Sequence, residues 1–246
     1  MTRFKQDDFY LKKEANLFFN RWKKNKNNEF KNPGHLRKNK KEIYEILKKN
    51  INLNKIYVFE IGCFIGDLLY KLKTDHKCKV FGVEPSSEAK TFCQKNYKIN
   101  FENTTFIHSK YISNTRKNFS LFDLIIIDDV LSWIDRSLIL RTISSIDWLL
   151  KTNGFIFIRD FVPKKKFAYE NHHHPDKKIY NFKQKNGHRE FFLMSGKYEI
   201  KYKKDYFSDN MQKIQTTDKQ SILWGDTILK KIIGFNHPIK NHNEKI

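Results

Sequence analysis

Cysteine is scarce in this 246-residue chain, and its placement excludes two kinds of small protein. The three cysteines, Cys63, Cys78 and Cys93, are odd in number, and no two of them form a CxxC pair. Such a set supports neither a disulfide framework nor a zinc knuckle. We therefore expect the protein to work in a reducing compartment.

Long apolar runs are also missing. No stretch approaches the roughly 18 consecutive apolar residues of a membrane span, and the opening MTRFKQDDFYLKKEANLF lacks the apolar core of a signal peptide. We expect a cytoplasmic protein without a membrane span. Hydrophobic residues at 39% are nevertheless too many for a disordered chain, so one main folded domain is expected.

Acidic residues are few: 27 Asp and Glu stand against 48 Lys and Arg, which gives a net charge of +21. A basic excess of this size is compatible with a nucleic-acid partner. Here, however, it is mostly lysine, spread from Lys5 to Lys245 together with abundant Asn and Ile, as in proteins of AT-rich genomes. We favour solvated surface lysines over a nucleic-acid track, and an anionic substrate is compatible with either interpretation.

The sequence predicts two helices at the N-terminal end of the chain. DDFYLKKEANLFFNRWKK, from Asp7 to about Lys24, has apolar residues near one helical face, and a second helix is predicted from about Lys38 to Lys49. Both precede the first predicted strand, so they are candidates for a cap over a site.

An alternation of strands and helices follows and predicts an α/β fold. The strands are IYVFEIG, KVFGVEP, TTFIHS, FDLIIIDDV and GFIFIRDF, with helical patterns between them. Right-handed crossovers then give a parallel sheet with helices on both faces. An irregular insertion is predicted from Val162 to Gly187, followed by a helix in HREFFLMSG and strands in YEIKYKKDYF and SILWGDTIL.

The turn after the first strand has the features of a ligand site. In such sheets ligands bind at the carboxyl ends of the strands, where glycines let ligand atoms approach the backbone. Gly62 and Gly66 lie at this turn, Glu60 ends the first strand, and Glu84 ends the second, where a carboxylate can accept ribose hydroxyls. A dinucleotide site would need GxGxxG, whereas GxxxG followed by Asp67 disfavours a pyrophosphate. A nucleoside-like cofactor without pyrophosphate is predicted.

In order and spacing, FEIGCFIGDLL, VFGVEPS, FDLIIIDDVLSWI and LLKTNGFIFIRDF resemble motifs of the class I S-adenosylmethionine-dependent methyltransferases. The resemblance covers Lys55 to Phe161, with weaker support through Leu229. It implies a Rossmann-like, doubly wound, mostly parallel seven-stranded sheet in which one of the final strands is antiparallel. The predicted organisation is a helical cap (1–50), a cofactor-binding core (51–161), an acceptor-lining insertion (162–187), a C-terminal helix and strands (188–235), and a flexible tail (236–246).

The resemblance also implies which residues contact the cofactor, S-adenosyl-L-methionine. Strand ends supply most of them, and an aromatic residue of the leading helix closes over the site. They are Tyr10, Glu60, Gly62, Phe64, Gly66, Glu84, Pro85, His108, Ser109 and Asp128. Phe64 departs from the family pattern, which has a glycine at that position.

Methyl transfer requires proximity, alignment and, for some acceptors, a base. The predicted catalytic residues are Asp129, His173 and His188, and the predicted substrate contacts are Arg21, Trp133, Asp160 and His172. The acids at the fourth and fifth strand ends resemble the magnesium site of catechol-type methyltransferases, but Phe161 stands where those have asparagine. Adjacent histidines such as His172 to His174 rarely face one ion. We expect no metal.

The predicted activity is O- or N-methylation of a small, anionic acceptor, which could be sugar, nucleotide-linked or phosphorylated, in surface polysaccharide biosynthesis. An RNA methyltransferase is one alternative, although IDDVL stands where many enzymes acting on base amines have (D/N)PP(Y/F). A non-catalytic binding subunit with the same fold is the other.

Overall fold

The computed structural model describes residues 5–25, 36–113, 119–170, 179–207 and 223–232. The helices are α1 (Lys5–Phe9), α2 (Ala15–Asn25), α3 (Lys38–Asn50), α4 (Asp67–His76), α5 (Ser87–Tyr97), α6 (Lys110–Ser113), α7 (Ile139–Leu149) and α8 (Arg189–Leu193). A π-helical turn, Tyr10–Glu14, joins α1 to α2. The strands are β1 (Tyr57–Ile61), β2 (Lys79–Val83), β3 (Phe122–Asp128), β4 (Leu150–Phe161), β5 (Phe167–Glu170), β6 (Tyr180–Lys183), β7 (Tyr198–Phe207) and β8 (Leu223–Lys231).

The main sheet is mostly parallel, as the sequence predicts. Its order is β2-β1-β3-β4-β8-β7. β1 pairs in parallel with β2 and β3, and β3 pairs in parallel with β4. β8 runs antiparallel to both of its neighbours, β4 and β7. The expected antiparallel strand near the C-terminus is therefore confirmed.

Helices cover both faces of this sheet because the central strands are apolar on both sides. In β1, Val58 faces one core together with α3, α4 and α5, whereas Phe59 faces the other together with α7 and α8. β3 alternates in the same way, with Leu124 and Ile126 on the first face and Ile125 and Ile127 on the second. A strand buried on both faces has this continuous apolar pattern.

The predicted third strand, TTFIHS, is wrong. Its residues form a turn of 3₁₀ helix, Phe106–His108, and the segment meets the sheet at a single parallel bridge between Val83 and Glu102. Phe106 and Ile107 pack in the same core, the one that contains Phe59, whereas side chains of successive strand residues would face opposite sides of the sheet. Among the described residues the main sheet thus has six strands, where seven are predicted.

The insertion after β4 is more regular than predicted, because β5 and β6 form an antiparallel hairpin. β6 alternates in burial, but the buried positions carry Asn181 and Lys183, and the less buried ones Tyr180 and Phe182. Polar residues on the buried face invert the usual pattern of a strand. This inversion explains why the hairpin has no clear sequence signal.

Beyond the insertion, β7 and β8 lie where two strands are predicted, and α8 is the short remnant of the predicted helix. In the portion of the chain that the structure describes, no helix combines the length and apolarity needed to cross a membrane.

Candidate active site

The turn from β1 to α4 depends on residues in the left-handed conformation. Gly62 and Gly66 have φ values of +71° and +74°, and a Cβ on Gly62 would lie 2.7 Å from Val130 Cγ2. Phe64 between them also has a positive φ, 50°, which is unusual for a bulky residue. In this conformation its backbone N–H donates to Glu84 Oε2 at 3.0 Å. A backbone N–H group of the turn is therefore hydrogen-bonded to the carboxylate that follows β2.

Glu84 is buried at that strand end and held by backbone groups. Besides the Phe64 N–H, its Oε1 accepts from the Ser86 N–H at 3.0 Å. Burial raises the pKa of Glu84 to about 7, although the two N–H groups oppose this rise. Next to it, the Pro85 carbonyl is half covered and accepts from Asn103 Nδ2 at 2.9 Å. A positioned carboxylate at this place can accept two hydroxyl hydrogens.

Lys40, a residue that the sequence analysis did not single out, extends from α3 into the same region. Its Nζ lies 2.6 Å from Glu60 Oε1 and 2.9 Å from Asp128 Oδ2, and all three side chains are buried or nearly so. Burial disfavours the Lys40 charge, but Asp128 and Glu60 outweigh it and raise the pKa of Lys40. One ammonium thus serves two carboxylates.

The two carboxylates respond differently to this arrangement. For Asp128, burial is outweighed by Lys40 and then Arg159, so its pKa is lowered. For Glu60, burial dominates and raises the pKa to about 7. Glu60 Oε2 is buried and has no hydrogen-bond partner among the described residues. Such an atom is a place where a ligand donor can bind.

Arg37, one turn before Lys40 on α3, forms a bidentate ion pair with Asp67. The distances are 2.9 Å from Nε to Oδ2 and 2.7 Å from Nη2 to Oδ1. Burial alone would raise the pKa of Asp67, but Arg37 lowers it. The guanidinium also lies over the rings of Phe64, at 4.8 Å, and Trp22, at 5.8 Å. Arg37 therefore ties the glycine turn to the N-terminal helices.

Negative charge exceeds positive charge around the turn. The acidic groups are Glu60, Asp67, Glu84 and Asp128, and the basic groups ion-paired with them are Arg37 and Lys40. Arg159 also attracts Asp128, but it is itself ion-paired with Asp226. When both glutamates are ionised, this region has a net negative charge. A cationic ligand is therefore favoured there.

The N-terminal helices cover the site from two directions. Gln6 Nε2 donates to the Trp133 carbonyl at 2.6 Å and to the Tyr180 carbonyl at 2.9 Å. The ring of Tyr10 meets that of Trp133 edge to face, with 6.1 Å between centroids. Thus α1 and the π-helical turn close over the ends of β3 and β6. We call this N-terminal helical segment the cap, and Tyr10 lies in it.

A second contact of the cap involves the 3₁₀ turn. Asp7 Oδ2 accepts from Thr105 Oγ1 at 2.8 Å and lies 2.7 Å from His108 Nδ1. The His108 side chain therefore faces the cap. Ser109 beside it is fully buried, and within the described ranges its Oγ has no partner.

Aromatic residues of α2 determine the orientation of Phe64. Its ring is 5.4 Å from that of Phe18, 5.8 Å from that of Phe19 and 4.9 Å from that of Trp22. The side chain that replaces the family glycine therefore packs against the cap. Arg21, on the same helix, is ion-paired with Glu14 and is one-third exposed.

A second polar cluster lies under the ends of β3 and β4. Asp160 Oδ1 accepts from Ser132 Oγ at 2.9 Å and from the Phe161 N–H at 2.8 Å, and its Oδ2 is hydrogen-bonded to His188 Nδ1. Asp160 and His188 are 2% and 3% exposed, so this pair is buried. Burial is outweighed by His188 and then by Lys183, which lowers the pKa of Asp160.

Asp129 and Lys183 complete this second cluster. Asp129 has a φ of 54°, and burial raises its pKa to about 7 despite the attraction of Lys183. Lys183 Nζ lies 3.1 Å from the centroid of the Phe161 ring and 3.3 Å from Ser132 Oγ. Burial lowers the pKa of Lys183 to about 8, opposed by Asp129 and Asp160. Asp129 Oδ1 has no hydrogen-bond partner in the described part of the chain.

The predicted site residues thus fall into three groups. The turn and strand-end group is Glu60, Gly62, Phe64, Gly66, Glu84, Pro85 and Asp128. The second group consists of Tyr10 and Arg21, which belong to the cap, and of His108, Ser109 and Trp133 beside it. The buried group beside β4 is Asp129, Asp160 and His188. The predicted catalytic His173 and substrate contact His172 lie outside the described residues. Within the described ranges no three His, Cys, Asp or Glu side chains are arranged as a metal site.

Sequence reasoning missed Lys40, Asn181 and Lys183. Lys40 shares its helical face with Ile43, Tyr44 and Leu47, so it occupies a core position of an amphipathic helix. A lysine at such a position is a detectable signal, because a buried ammonium needs acidic partners. For Asn181 and Lys183 the signal is weak, since no strand is predicted there.

No protein-family model matches the chain, and no curated protein sequence matches it at a significant level. Solved structures do resemble it. A 1,6-didemethyltoxoflavin-N1-methyltransferase of Burkholderia thailandensis, solved with 1,6-didemethyltoxoflavin and S-adenosylhomocysteine, superposes with a TM-score of 0.59 at 12% identity, covering 95% of this chain and 92% of that one. A SAM-dependent methyltransferase of Archaeoglobus fulgidus gives a TM-score of 0.53 at 16% identity, with coverage of 87% and 99%.

A further structure that resembles the chain is the [4+2]-cyclase SpnF, with a TM-score of 0.58 at 12% identity and coverage of 83% and 86%. Proteins of this fold therefore include a cyclase as well as methyltransferases, so similarity of fold alone does not identify the reaction. The strand order, the glycine turn and the superpositions agree on the architecture. The protein has the fold of the class I S-adenosylmethionine-dependent methyltransferases.

Proposed function

We propose that the protein transfers a methyl group from S-adenosylmethionine to an oxygen or nitrogen atom of a small acceptor. The observation that carries this proposal is the position of two buried clusters on either side of the β3 end. The acidic cluster at Glu60, Glu84 and Asp128 suits a cationic nucleoside, and the His188–Asp160 pair suits removal of a proton.

Residues at the glycine turn fit this cofactor. Glu84 would accept its ribose hydroxyls, and Glu60 Oε2, buried without a partner among the described residues, would accept from its amino group. Ser109 and His108 would border the adenine. The sulfonium and amino groups are positive, which agrees with the excess of carboxylates. Bound there, S-adenosylmethionine supplies an electrophilic methyl group on a positively charged sulfur.

The second cluster would serve the acceptor. Asp160 keeps its charge, because its pKa is lowered, and it holds the Nδ1 side of His188, which orients the ring. Asp160 is hydrogen-bonded to three protein groups, one more than Glu84, and one of them is His188. It therefore fits a positioning role rather than the direct substrate contact that we predicted. His188 would take the acceptor proton, and Asp129, with a pKa of about 7, is the alternative base.

The acceptor is proposed to be small and anionic, in line with the sequence analysis. Lys183 is a buried cation within the second cluster, and Lys164 to Lys166 are exposed at the start of the insertion. Buried cations favour acidic or ionisable ligand groups. A sugar with an acidic group, a nucleotide-linked sugar or a phosphorylated metabolite would meet this description.

Calorimetric titration of the purified protein with S-adenosylmethionine and S-adenosylhomocysteine tests the cofactor. Formation of S-adenosylhomocysteine from S-adenosylmethionine, measured with a set of small acceptors, tests the reaction. Absence of cofactor binding would refute the proposal. Binding without turnover would instead favour a non-catalytic member of the fold, and binding to RNA that falls steeply with salt would favour an RNA methyltransferase.

Glu84→Ala is expected to weaken S-adenosylhomocysteine binding by about 1 to 3 kcal/mol, because charge-assisted hydrogen bonds to the ribose are lost. Glu84 also holds the turn through the Phe64 N–H, so thermal unfolding of the variant is measured in parallel. Glu88→Ala, on the exposed first turn of α5, is the matched control and should leave affinity unchanged. Equal affinities of Glu84→Ala and wild type would remove Glu84 from the site.

Cofactor binding is expected to release protons below neutral pH. The pKa values of Glu60 and Glu84 are raised to about 7, and a cationic ligand with hydroxyl donors favours their ionised forms. Binding therefore lowers both pKa values, so affinity should increase as the pH rises through about 7 and then level off. Calorimetry at about pH 6 and about pH 8.5, in buffers of different ionisation enthalpy, counts the protons. Proton release that is equal at both pH values would contradict this account.

A further inference from the structure

The carboxamide of Asn181 lies on the buried face of β6 that also carries Lys183, and it is unsatisfied within the part of the chain that the structure describes. Asn181 is fully buried, and neither its Oδ1 nor its Nδ2 has a hydrogen-bond partner among the described residues. Buried amide groups in folded proteins are almost always hydrogen-bonded. A carboxamide with both atoms unpartnered destabilises the fold unless something else binds there.

The strand geometry places Asn181 beside the groups already described. Asn181 and Lys183 lie two residues apart in β6, so they share its buried face, about 7 Å apart along the strand. The backbone of Tyr180, next to Asn181, is held by Gln6 of the cap. The hairpin therefore presents Asn181 between the cap and the cluster around Asp129.

The two side chains offer distinct chemistry. A carboxamide donates through Nδ2 and accepts through Oδ1, side by side. It is complementary to a lactam or imide edge, in which N–H and C=O are adjacent. Lys183 adds a positive charge, and Asp129 Oδ1, buried with no partner in the described part of the chain, adds an acceptor. Together they match a polar, planar ring whose N–H or O–H is ionisable.

We propose that Asn181 and Lys183 recognise the acceptor, and that the acceptor carries a lactam or imide edge that pairs with the Asn181 carboxamide. This inference rests on the proposed function and narrows it. Among the acceptors considered above, it selects those in which a nucleotide base or another planar ring carries such an edge. Gln6 is hydrogen-bonded to the backbone of the neighbouring Tyr180, so entry of an acceptor from this side would require α1 to move aside.

Uracil is the probe, because it has lactam and imide edges, and 1,3-dimethyluracil is its matched control, because its ring nitrogens no longer carry hydrogen. Binding of each is followed by ligand-observed saturation-transfer NMR, with and without S-adenosylhomocysteine. Uracil should bind at least about tenfold more tightly than 1,3-dimethyluracil, since the methylated ring leaves the carboxamide unpaired. Absence of uracil binding, or equal binding of both compounds, would overturn the proposal.

Asn181→Leu separates a recognition role from a structural one. Leucine has nearly the same shape and no unsatisfied polar atom, so the unliganded variant should melt about 2 to 4 °C higher than wild type. Uracil binding should be lost, while S-adenosylhomocysteine binding stays unchanged. A lower melting temperature would overturn the proposal, because it would mean that Asn181 supports the fold.

Asn50→Leu is the matched control for this substitution. The Asn50 carboxamide donates to the Ile46 carbonyl at 2.8 Å, so its removal should not raise the melting temperature. Uracil binding should be the same as in wild type. If S-adenosylhomocysteine does not bind the wild-type protein, the proposed function fails. The difference in affinity between uracil and 1,3-dimethyluracil is measured without S-adenosylhomocysteine as well, so it tests the Asn181 proposal separately.

Discussion

Lys40→Met is expected to destabilise the protein by about 3 to 5 kcal/mol at alkaline pH, because removal of one partner leaves buried charge uncompensated. Lys40 serves both Glu60 and Asp128, at 2.6 and 2.9 Å, and is 3% exposed. Methionine fills a similar volume, so lost packing contributes little. Urea unfolding followed by circular dichroism measures the change.

The pH dependence of this loss has a defined sign. The pKa of Glu60 is raised to about 7 even with Lys40 present, and without the ammonium it rises further. Below that pKa the folded protein holds a proton on Glu60 that the unfolded chain releases more readily. The destabilisation should therefore be smaller near pH ~5 than at pH ~8.5. Adding Glu60→Gln to Lys40→Met should recover part of the stability at high pH.

Lys71→Met provides the control, since Lys71 pairs with Asp75 at 2.9 Å on the surface of α4, where both side chains are about one-third exposed. Exposed pairs of this kind contribute about 0 to 1 kcal/mol. If Lys40→Met costs no more than Lys71→Met, the buried ion pairs do not have the role that their geometry implies.

His188→Asn is expected to lower turnover by about 10² to 10⁴-fold, the usual contribution of a positioned base. Asparagine can still bond to Asp160, so the buried carboxylate keeps a partner and the fold should persist. Initial rates with an acceptor found by the screen, together with calorimetry of S-adenosylhomocysteine, separate chemistry from cofactor binding. Affinity for S-adenosylhomocysteine should not change.

His76→Asn is the matched control. His76 lies on α4, where its Nε2 is 3.1 Å from the Tyr44 hydroxyl, and it is not part of the cluster that contains His188. It should retain turnover. Undiminished turnover in His188→Asn would mean either that Asp129 takes the acceptor proton or that no side-chain base is needed. The turnover of Asp129→Asn would then distinguish these two explanations.

The sequence predicted the parts of the site that depend on strand ends. Glu60, Glu84 and Asp128 end strands that are continuously apolar, and parallel strands bring their carboxyl ends to one edge. Gly62 and Gly66 were predicted because glycines at such a turn let ligand atoms approach the backbone, and the structure adds that both have positive φ values. Lys40 on helix α3 and Asn181 and Lys183 on the β5–β6 hairpin were not predicted as site residues. No local sequence pattern indicates which groups a buried lysine or asparagine contacts in the folded protein.

The TTFIHS segment illustrates a limit of local patterns. An apolar pair between polar residues suits an edge strand and a 3₁₀ turn equally well. Here Phe106 and Ile107 both pack in the core on one face of the sheet, which a turn allows and a regular strand does not. The outcome depends on the surrounding core, which the segment itself does not encode.

The sequence by itself determined the α/β architecture, the glycine turn and the acids around it, because these follow from periodicity and from residues that carry their own conformational or chemical preference. Tertiary structure alone decided that Lys40 neutralises Glu60 and Asp128, that Phe64 packs on the cap, and that Lys183 reaches the buried cluster of Asp160 and His188 through Ser132. These contacts join residues that are distant in the chain, and their energies depend on burial. The distances between these side chains and their burial are properties of the folded protein, so no local sequence pattern specifies them.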